Sequence, residues 1–383
     1  MGPSKKRPGH GAVLSRRALL AGCAALPAAA LPPALDRGST LPSDWRRYAD
    51  PTTEFEVYRL TDPSYSSRLP AHYARSLARR GNFLLFSSDR AGSPQAFRMD
   101  LKSGECRLLT EAAALDGGSL TLARDDRSAF FFDGSTLRQL QLSNLREREI
   151  YRVPDEFQRT SGFCLTDDGN HAVLGEVSSP SNSRLRRVTM AKGTAVTIVE
   201  APFSLTQPIP RPRRAQVLYR QEDEALWLVD FDGRNNRRLK TPPGKIGPAI
   251  WSPSGRTILY LHYPEETSRL NAIRELTPDE NVDKLVASTS QFVHFGSNSD
   301  SSVFVGASRN LASPYILLLL RITRRELTVC EHRASNPSQV APIFSPDSQR
   351  IFFQSDHHGK SALYRIEVGK FVEATELDER SAL

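Results

Sequence analysis

Residues 251–261 read Trp-Ser-Pro-Ser-Gly-Arg-Thr-Ile-Leu-Tyr-Leu, and residues 344–355 read Phe-Ser-Pro-Asp-Ser-Gln-Arg-Ile-Phe-Phe-Gln-Ser. Each is a short polar turn followed at once by an apolar, β-prone run. The same unit starts at Leu77 (LARRGNFLLFSS), Leu122 (LARDDRSAFFF), Leu165 (LTDDGNHAVLG), Pro210 (PRPRRAQVLY) and Gly296 (GSNSDSSVFVG). Marked by the last residue of the turn, the copies fall at Gly81, Arg127, Gly169, Arg214, Gly255, Ser301 and Ser348, spaced by 41–47 residues. A β-rich unit with a period of about 40–50 residues is a propeller blade.

Local patterning supports that reading. Runs such as Phe83-Leu84-Leu85-Phe86 and Val303-Phe304-Val305 are short and apolar throughout, as expected of strands buried on both faces. Second strands lead into turn signals: Gln95 to Leu101 before Lys102-Ser103-Gly104, Ala225 to Phe231 before Asp232-Gly233, and Ser361 to Val368 before Gly369. A lone blade exposes both faces, whereas seven around an axis cover one another and leave only short edges. The sequence therefore predicts an all-β, seven-bladed β-propeller of four-stranded blades. Phe55 to Thr61 is strand-like, precedes the first copy, and ends Arg-Leu-Thr much as the first blade ends in Arg107-Leu108-Leu109-Thr110. It is expected to be the outer strand of the last blade, closing the ring against residues 361–376.

The propeller is assigned to residues 51–376. Residues 31–50 read as a Pro-containing lead-in and 377–383 as a polar tail, neither expected to bury a core. Residues 1–30 carry Lys5, Lys6, Arg7, Arg16 and Arg17, no acid, and then the apolar run from Ala18 to Leu31. That is the layout of a secretory signal. The run is too short for the roughly 20 residues of a membrane span, and Ser15-Arg16-Arg17-Ala18-Leu19-Leu20 resembles a twin-arginine motif. Leu20-Ala21-Gly22-Cys23 looks like a lipobox, but the five residues between Arg17 and Cys23 leave no room for an apolar segment before a lipidated cysteine. The expectation is export to the periplasm or the exterior, without a transmembrane anchor.

Formal net charge is +8, and removing the five leader charges leaves +3. This is too small and too scattered for a nucleic-acid partner. The run Arg211-Pro212-Arg213-Arg214 reads as solvated surface. Cys106, Cys164 and Cys330 lie in or beside apolar runs and read as buried small hydrophobes. There is no G-x-S-x-G elbow, H-E-x-x-H or phosphate-cradling glycine loop.

Propellers take ligands at the axis, where the segments ahead of each turn converge. Those segments are Pro70 to Ala74, Gly247 to Ile250 and Asn336 to Pro342, which bring forward His72 and Gln339 as ligand-binding candidates. His294, two residues ahead of its turn, is the metal-ligand candidate. His357-His358 occupies a hairpin turn equivalent to Ser88-Asp89-Arg90-Ala91-Gly92 and reads as turn decoration. His171, His262 and His332 read as packing residues or lack a companion.

Several segments together resemble the oligogalacturonate lyases. They are the opening Trp45-Arg46-Arg47-Tyr48-Ala49-Asp50-Pro51-Thr52-Thr53 with Tyr58-Arg59-Leu60-Thr61, and the first blade through Ser88-Asp89-Arg90. Further along come Trp227-Leu228-Val229-Asp230 with Asp232-Gly233, and His294-Phe295-x-Ser297-Asn298-x-Asp300. Many of these pieces are shared with TolB-like propellers. The resemblance implies a seven-bladed fold and β-elimination on pectin-derived oligouronides. It also implies a Mn²⁺ ion held by His and Gln, a His base and an Arg. His294 matches the metal-binding His of the family. The other metal ligands would lie in a Q-x-x-H-x-H stretch, which here is Asn336 to Ala341 without a histidine. The base position is Pro248, and the Arg position is Ala225. The expected partner is an oligouronide or another glycan. The alternative is a non-catalytic TolB-like propeller that binds a glycan or an envelope protein.

Overall fold

The computed structural model describes residues 35–266, 268–289 and 292–372, which form seven antiparallel sheets in chain order. The leader and the polar tail lie outside the described residues. Five sheets have four strands and two have five. Blade 5 illustrates the unit: Gly244–Trp251 innermost, then Ile258–Pro264, Asn271–Thr277 and Val282–Thr289.

The repeated turn has a backbone cause. After each innermost segment the chain closes an i to i+3 hydrogen bond, as in Gly81 N to Ala78 O at 2.8 Å and Gly255 N to Ser252 O at 2.8 Å. A left-handed residue stands at every copy: Gly81, Asp126, Gly169, Arg213, Gly255, Ser301 and Ser348. In blades 2 and 4 it lies one position before the residue marked from sequence. Gly, Asn and Asp tolerate this conformation most readily, which is why the turns look alike in composition without being identical.

The apolar runs are buried because each strand faces two neighbours. In Phe83–Ser88, Phe83 and Leu85 pack toward blade 2, whereas Leu84 and Phe86 pack toward blade 7. The same alternation around the ring yields seven hydrophobic clusters, one between each pair of adjacent blades. Cys106, Cys164 and Cys330 are buried free thiols within these clusters, and burial pushes Cys106 up to about 12.

The ring closes through the N-terminal strand. Glu56–Arg59 pairs antiparallel with Ala362–Glu367, in the register Val57 with Ile366 and Arg59 with Tyr364. Blade 7 thus combines N-terminal strands with the C-terminal strands of the described chain. This strand is not outermost, however. Arg46–Ala49 pairs outside it, and Thr40–Leu41 adds an edge to blade 1. The lead-in therefore has a structural role that composition did not reveal. Leu35, Leu41 and Trp45 pack on the cluster between blades 7 and 1, and Arg365 lies 4.8 Å from the Trp45 ring centre. Asp50 is buried, accepts from the Thr52 and Thr53 amides, and also accepts from Glu331 N of blade 6 at 2.8 Å. The opening Asp-Pro-Thr-Thr is thus a clasp between the N-terminus and a neighbouring blade.

Candidate functional site at the propeller axis

Innermost strands all run the same way along the axis, so the segments before them gather at one mouth. A cavity of about 650 Å³ opens there, with Arg68, His72, His294, Gln339 and Gln354 in its wall. Residues far apart in sequence meet in it: the His72 and His294 ring centres are 5.2 Å apart in an edge-to-face arrangement.

Their environment fixes their protonation. Nε2 of His72 and Nδ1 of His294 are buried without a hydrogen-bond partner among the described residues. Burial holds His72 down at about 3, with additional lowering from His294 and Arg220; a backbone contact with Ala249 acts the other way. Burial holds His294 at about 4. Both imidazoles are therefore neutral at ordinary pH.

This predicts a pH effect with a definite sign. An unfolded histidine titrates near 6.5. Between that value and pH 4 the unfolded chain binds protons that the native pair refuses, so stability is complete above pH 6.5 and declines on acidification. Thermal unfolding across this range is expected to show a shallower acid decline in a His72→Gln/His294→Gln variant than in the parent.

The cavity's charged groups differ in how they are held. Asp116 pairs with Arg159, and Asp89 accepts from Ser66 N and lies 3.4 Å from Lys360. Arg68 is exposed in the wall, with no ion-pair partner among the described residues. Behind the histidines, Arg220 is buried. Its guanidinium donates to Gln207 Oε1 at 3.0 Å and to the Ile246 carbonyl, and burial lowers its pKa. Gln354 braces the wall: its Oε1 accepts from Leu69 N at 2.7 Å, and its Nε2 donates to the Gln339 carbonyl at 2.6 Å.

Sequence reasoning missed Arg68 and Gln354. The inner strand of blade 1, Ser67–Arg68, is two residues long and shows no periodicity. Gln339 reaches the cavity, but its side chain is exposed, and the hydrogen bond it makes there is through its backbone. Three other histidines make structural contacts. His332 is buried and bonded to Ser308 O and Ala334 N, His262 contacts Pro243 O at 3.0 Å, and His358 contacts the Tyr364 hydroxyl at 2.9 Å. One sequence expectation is overturned. Arg211 is not solvated surface: it is buried 5.0 Å from the Trp251 ring centre and makes a two-pronged ion pair with Asp279 at 2.7 and 2.8 Å.

The donor set can be tested against a metal. A first-row ion takes about three or four protein ligands in most protein sites. The described residues contain no cluster of three or more His, Cys, Asp or Glu suited to an ion. Asn336 spends its side-chain oxygen on capping the turn Pro337–Gln339, accepting from Ser338 N at 3.1 Å. Gln354 Oε1 is taken by Leu69 N, which leaves two neutral imidazoles and the Gln339 amide, a poor donor set for Mn²⁺. Neither Mn²⁺ nor EDTA is expected to move the melting temperature, whereas a metal bound to the native state raises it.

The family resemblance puts its base and its Arg at positions held here by Pro248 and Ala225. Pro248 lies in the innermost strand Gly244–Trp251 at the register break between Ile246 and Ala249, where a missing N–H is tolerated. Ala225 is buried at the start of Ala225–Asp230. Neither can transfer a proton or carry charge.

The fold is a seven-bladed propeller whose axial cavity is lined by imidazole, guanidinium and amide groups. The chain matches the family model described as oligogalacturonate lyase over residues 35–179. It is 26% identical to the oligogalacturonide lyase of Pectobacterium atrosepticum and 25% identical to the oligogalacturonate lyase of Dickeya dadantii, in each case over 87% of this chain and 98% of the relative. A solved oligogalacturonate lyase in complex with manganese superposes with a TM-score of 0.83 at 25% identity, covering 87% of this chain and 98% of that one. Tol-Pal system protein TolB of Nitratidesulfovibrio vulgaris is 27% identical, but over 35% of this chain and 29% of its own.

Proposed function

We propose that the axial cavity recognises short oligogalacturonides, without the metal-dependent elimination for which the family is named. The observation that carries this is the pairing, in one cavity, of an unneutralised guanidinium, Arg68, with the His72–His294 edge. A uronate carboxylate is the complementary group, because guanidinium forks match carboxylates in geometry and charge. The lyase relatives supply the sugar class. Pro248, Ala225 and the histidine-free Asn336 to Ala341 stretch argue against their chemistry.

A second reading has its own support. The unpartnered Nε2 of His72 is a neutral base form beside the buried cation Arg220. In this reading His72 removes the proton α to the carboxylate. A base of such low pKa is mismatched to neutral pH, and general-base efficiency falls with the mismatch, so any turnover is slow.

Calorimetry with trigalacturonate and with neutral galactotriose tests recognition: heat is expected for the acid alone. Equal binding of both sugars, or of neither, overturns it. Absorbance near 235 nm, which reports an unsaturated uronide, separates the two readings. A flat trace with and without Mn²⁺ supports recognition alone. A rise lost in His72→Ala establishes the second reading.

Export belongs to the same proposal and is supported by the basic, apolar leader of residues 1–30. The protein is expected in the periplasmic fraction and to be retained in the cytoplasm in an Arg16→Lys/Arg17→Lys variant. Unchanged fractionation would remove the twin-arginine route. No helix among the described residues is long and apolar enough to cross a membrane.

A further inference from the structure

The axis has a second mouth, formed where the innermost strands end. The cavity there has about 760 Å³ and is built from the turns after the first five innermost segments. Six arginines enter its wall: Arg75, Arg79, Arg124, Arg211, Arg213 and Arg214. Its carboxylates are Asp167 and Asp168, and Asp168 is engaged by the Thr166 hydroxyl at 2.6 Å and by Asn170.

The six arginines divide into two groups. Arg211 and Arg214 pair with Asp279, and Arg75 pairs with Asp126 at 2.7 Å. Both terminal nitrogens of Arg75 are nonetheless buried without a directional hydrogen bond. Arg79, Arg124 and Arg213 are exposed, and none has a carboxylate partner among the described residues; Arg124 contacts only the Asp167 carbonyl, at 3.1 Å. These three come from the turns of blades 1, 2 and 4, so they are spread around the opening. A spread of free guanidiniums suits several separated negative charges better than one compact anion.

We propose that this second mouth is a separate binding site for an acidic oligosaccharide, its carboxylates distributed over Arg79, Arg124 and Arg213. The volume is within the range of small-ligand pockets, about 300–1,000 Å³. Phe231 and Tyr73 in the wall offer apolar surface to sugar rings. The sugar's identity rests on the proposed function of the first cavity; the cluster of free arginines does not. The two mouths share one segment, since His72 lines the first cavity while Tyr73, Arg75 and Arg79 line the second.

The test is a calorimetric titration of the whole protein with trigalacturonate at low ionic strength. The variants are Arg79→Gln/Arg124→Gln/Arg213→Asn, with Asn chosen for the left-handed backbone at 213, and Arg68→Met. All four side chains are exposed, and an unchanged melting temperature verifies folding. Two binding events are expected in the parent. The triple variant should lose one and Arg68→Met the other, and the event lost in the triple variant should also vanish in 0.5 M salt, where exposed charges are screened. A triple variant that binds as the parent does overturns the second site and leaves the first intact. Loss of the Arg68-dependent event alone, in every protein, overturns the first site and leaves the second. Inorganic pyrophosphate displacing the sugar from the second mouth at equal concentration overturns the chain-spanning reading.

Discussion

Replacing Arg68 by methionine is expected to weaken trigalacturonate binding in the first cavity roughly 10- to 100-fold, equivalent to the about 1.5–3 kcal/mol of a hydrogen bond to a charged group. The methylene stem is retained, so the loss reports charge and donors rather than packing. Arg68 has no ion-pair partner among the described residues, so its removal strands no buried acid and should leave the melting temperature in place. Calorimetry measures the affinity, and galactotriose, expected to give no binding heat with either protein, is the control. Gln354→Leu should act in the same direction through geometry. It unties Leu69, next to Arg68, from the Gln339 turn that lines the same cavity.

The largest stability effect is expected at the ring closure. Val57 is fully buried, pairs with Ile366, and belongs to the cluster between blades 6 and 7. Val57→Asp places an unpaired carboxylate in that cluster and removes apolar contacts, at a cost of about 3–5 kcal/mol. Glu56→Lys, one residue earlier, removes an exposed ion pair with Arg47 at 2.9 Å and an exposed hydrogen bond from the Tyr58 hydroxyl at 3.3 Å, and should change stability by no more than about 1 kcal/mol. Chemical denaturation of the two variants measures the contrast. A similar small effect for both would mean that the N-terminal strand does not latch the ring.

The blades were legible because their turn demands a left-handed residue and the strand that follows is buried on both faces; Gly255 with Ile258 to Leu261 shows both constraints in a few residues. Counting back from those turns also brought His72, His294 and Gln339 to one mouth, although their roles rest on the proposed function. The illegible parts are those whose cause is tertiary. Arg46–Ala49 forms a fifth strand because the edge of Glu56–Arg59 is open to it and because Arg365 packs on Trp45, neither of which shows in local composition. Arg211 looked solvated because its partner Asp279 is 68 residues away. Arg68 was hidden in a two-residue strand. Pro248 and Ala225 were readable directly as residues with no group that titrates.

The most direct test is a crystal structure of the protein with trigalacturonate bound and no added metal. The account predicts a uronate carboxylate about 3 Å from the Arg68 guanidinium, with its sugar ring against the His72–His294 edge and no bond cleaved. A sugar found only away from that cavity, or one that enters it only when Mn²⁺ joins the two histidines, would contradict it.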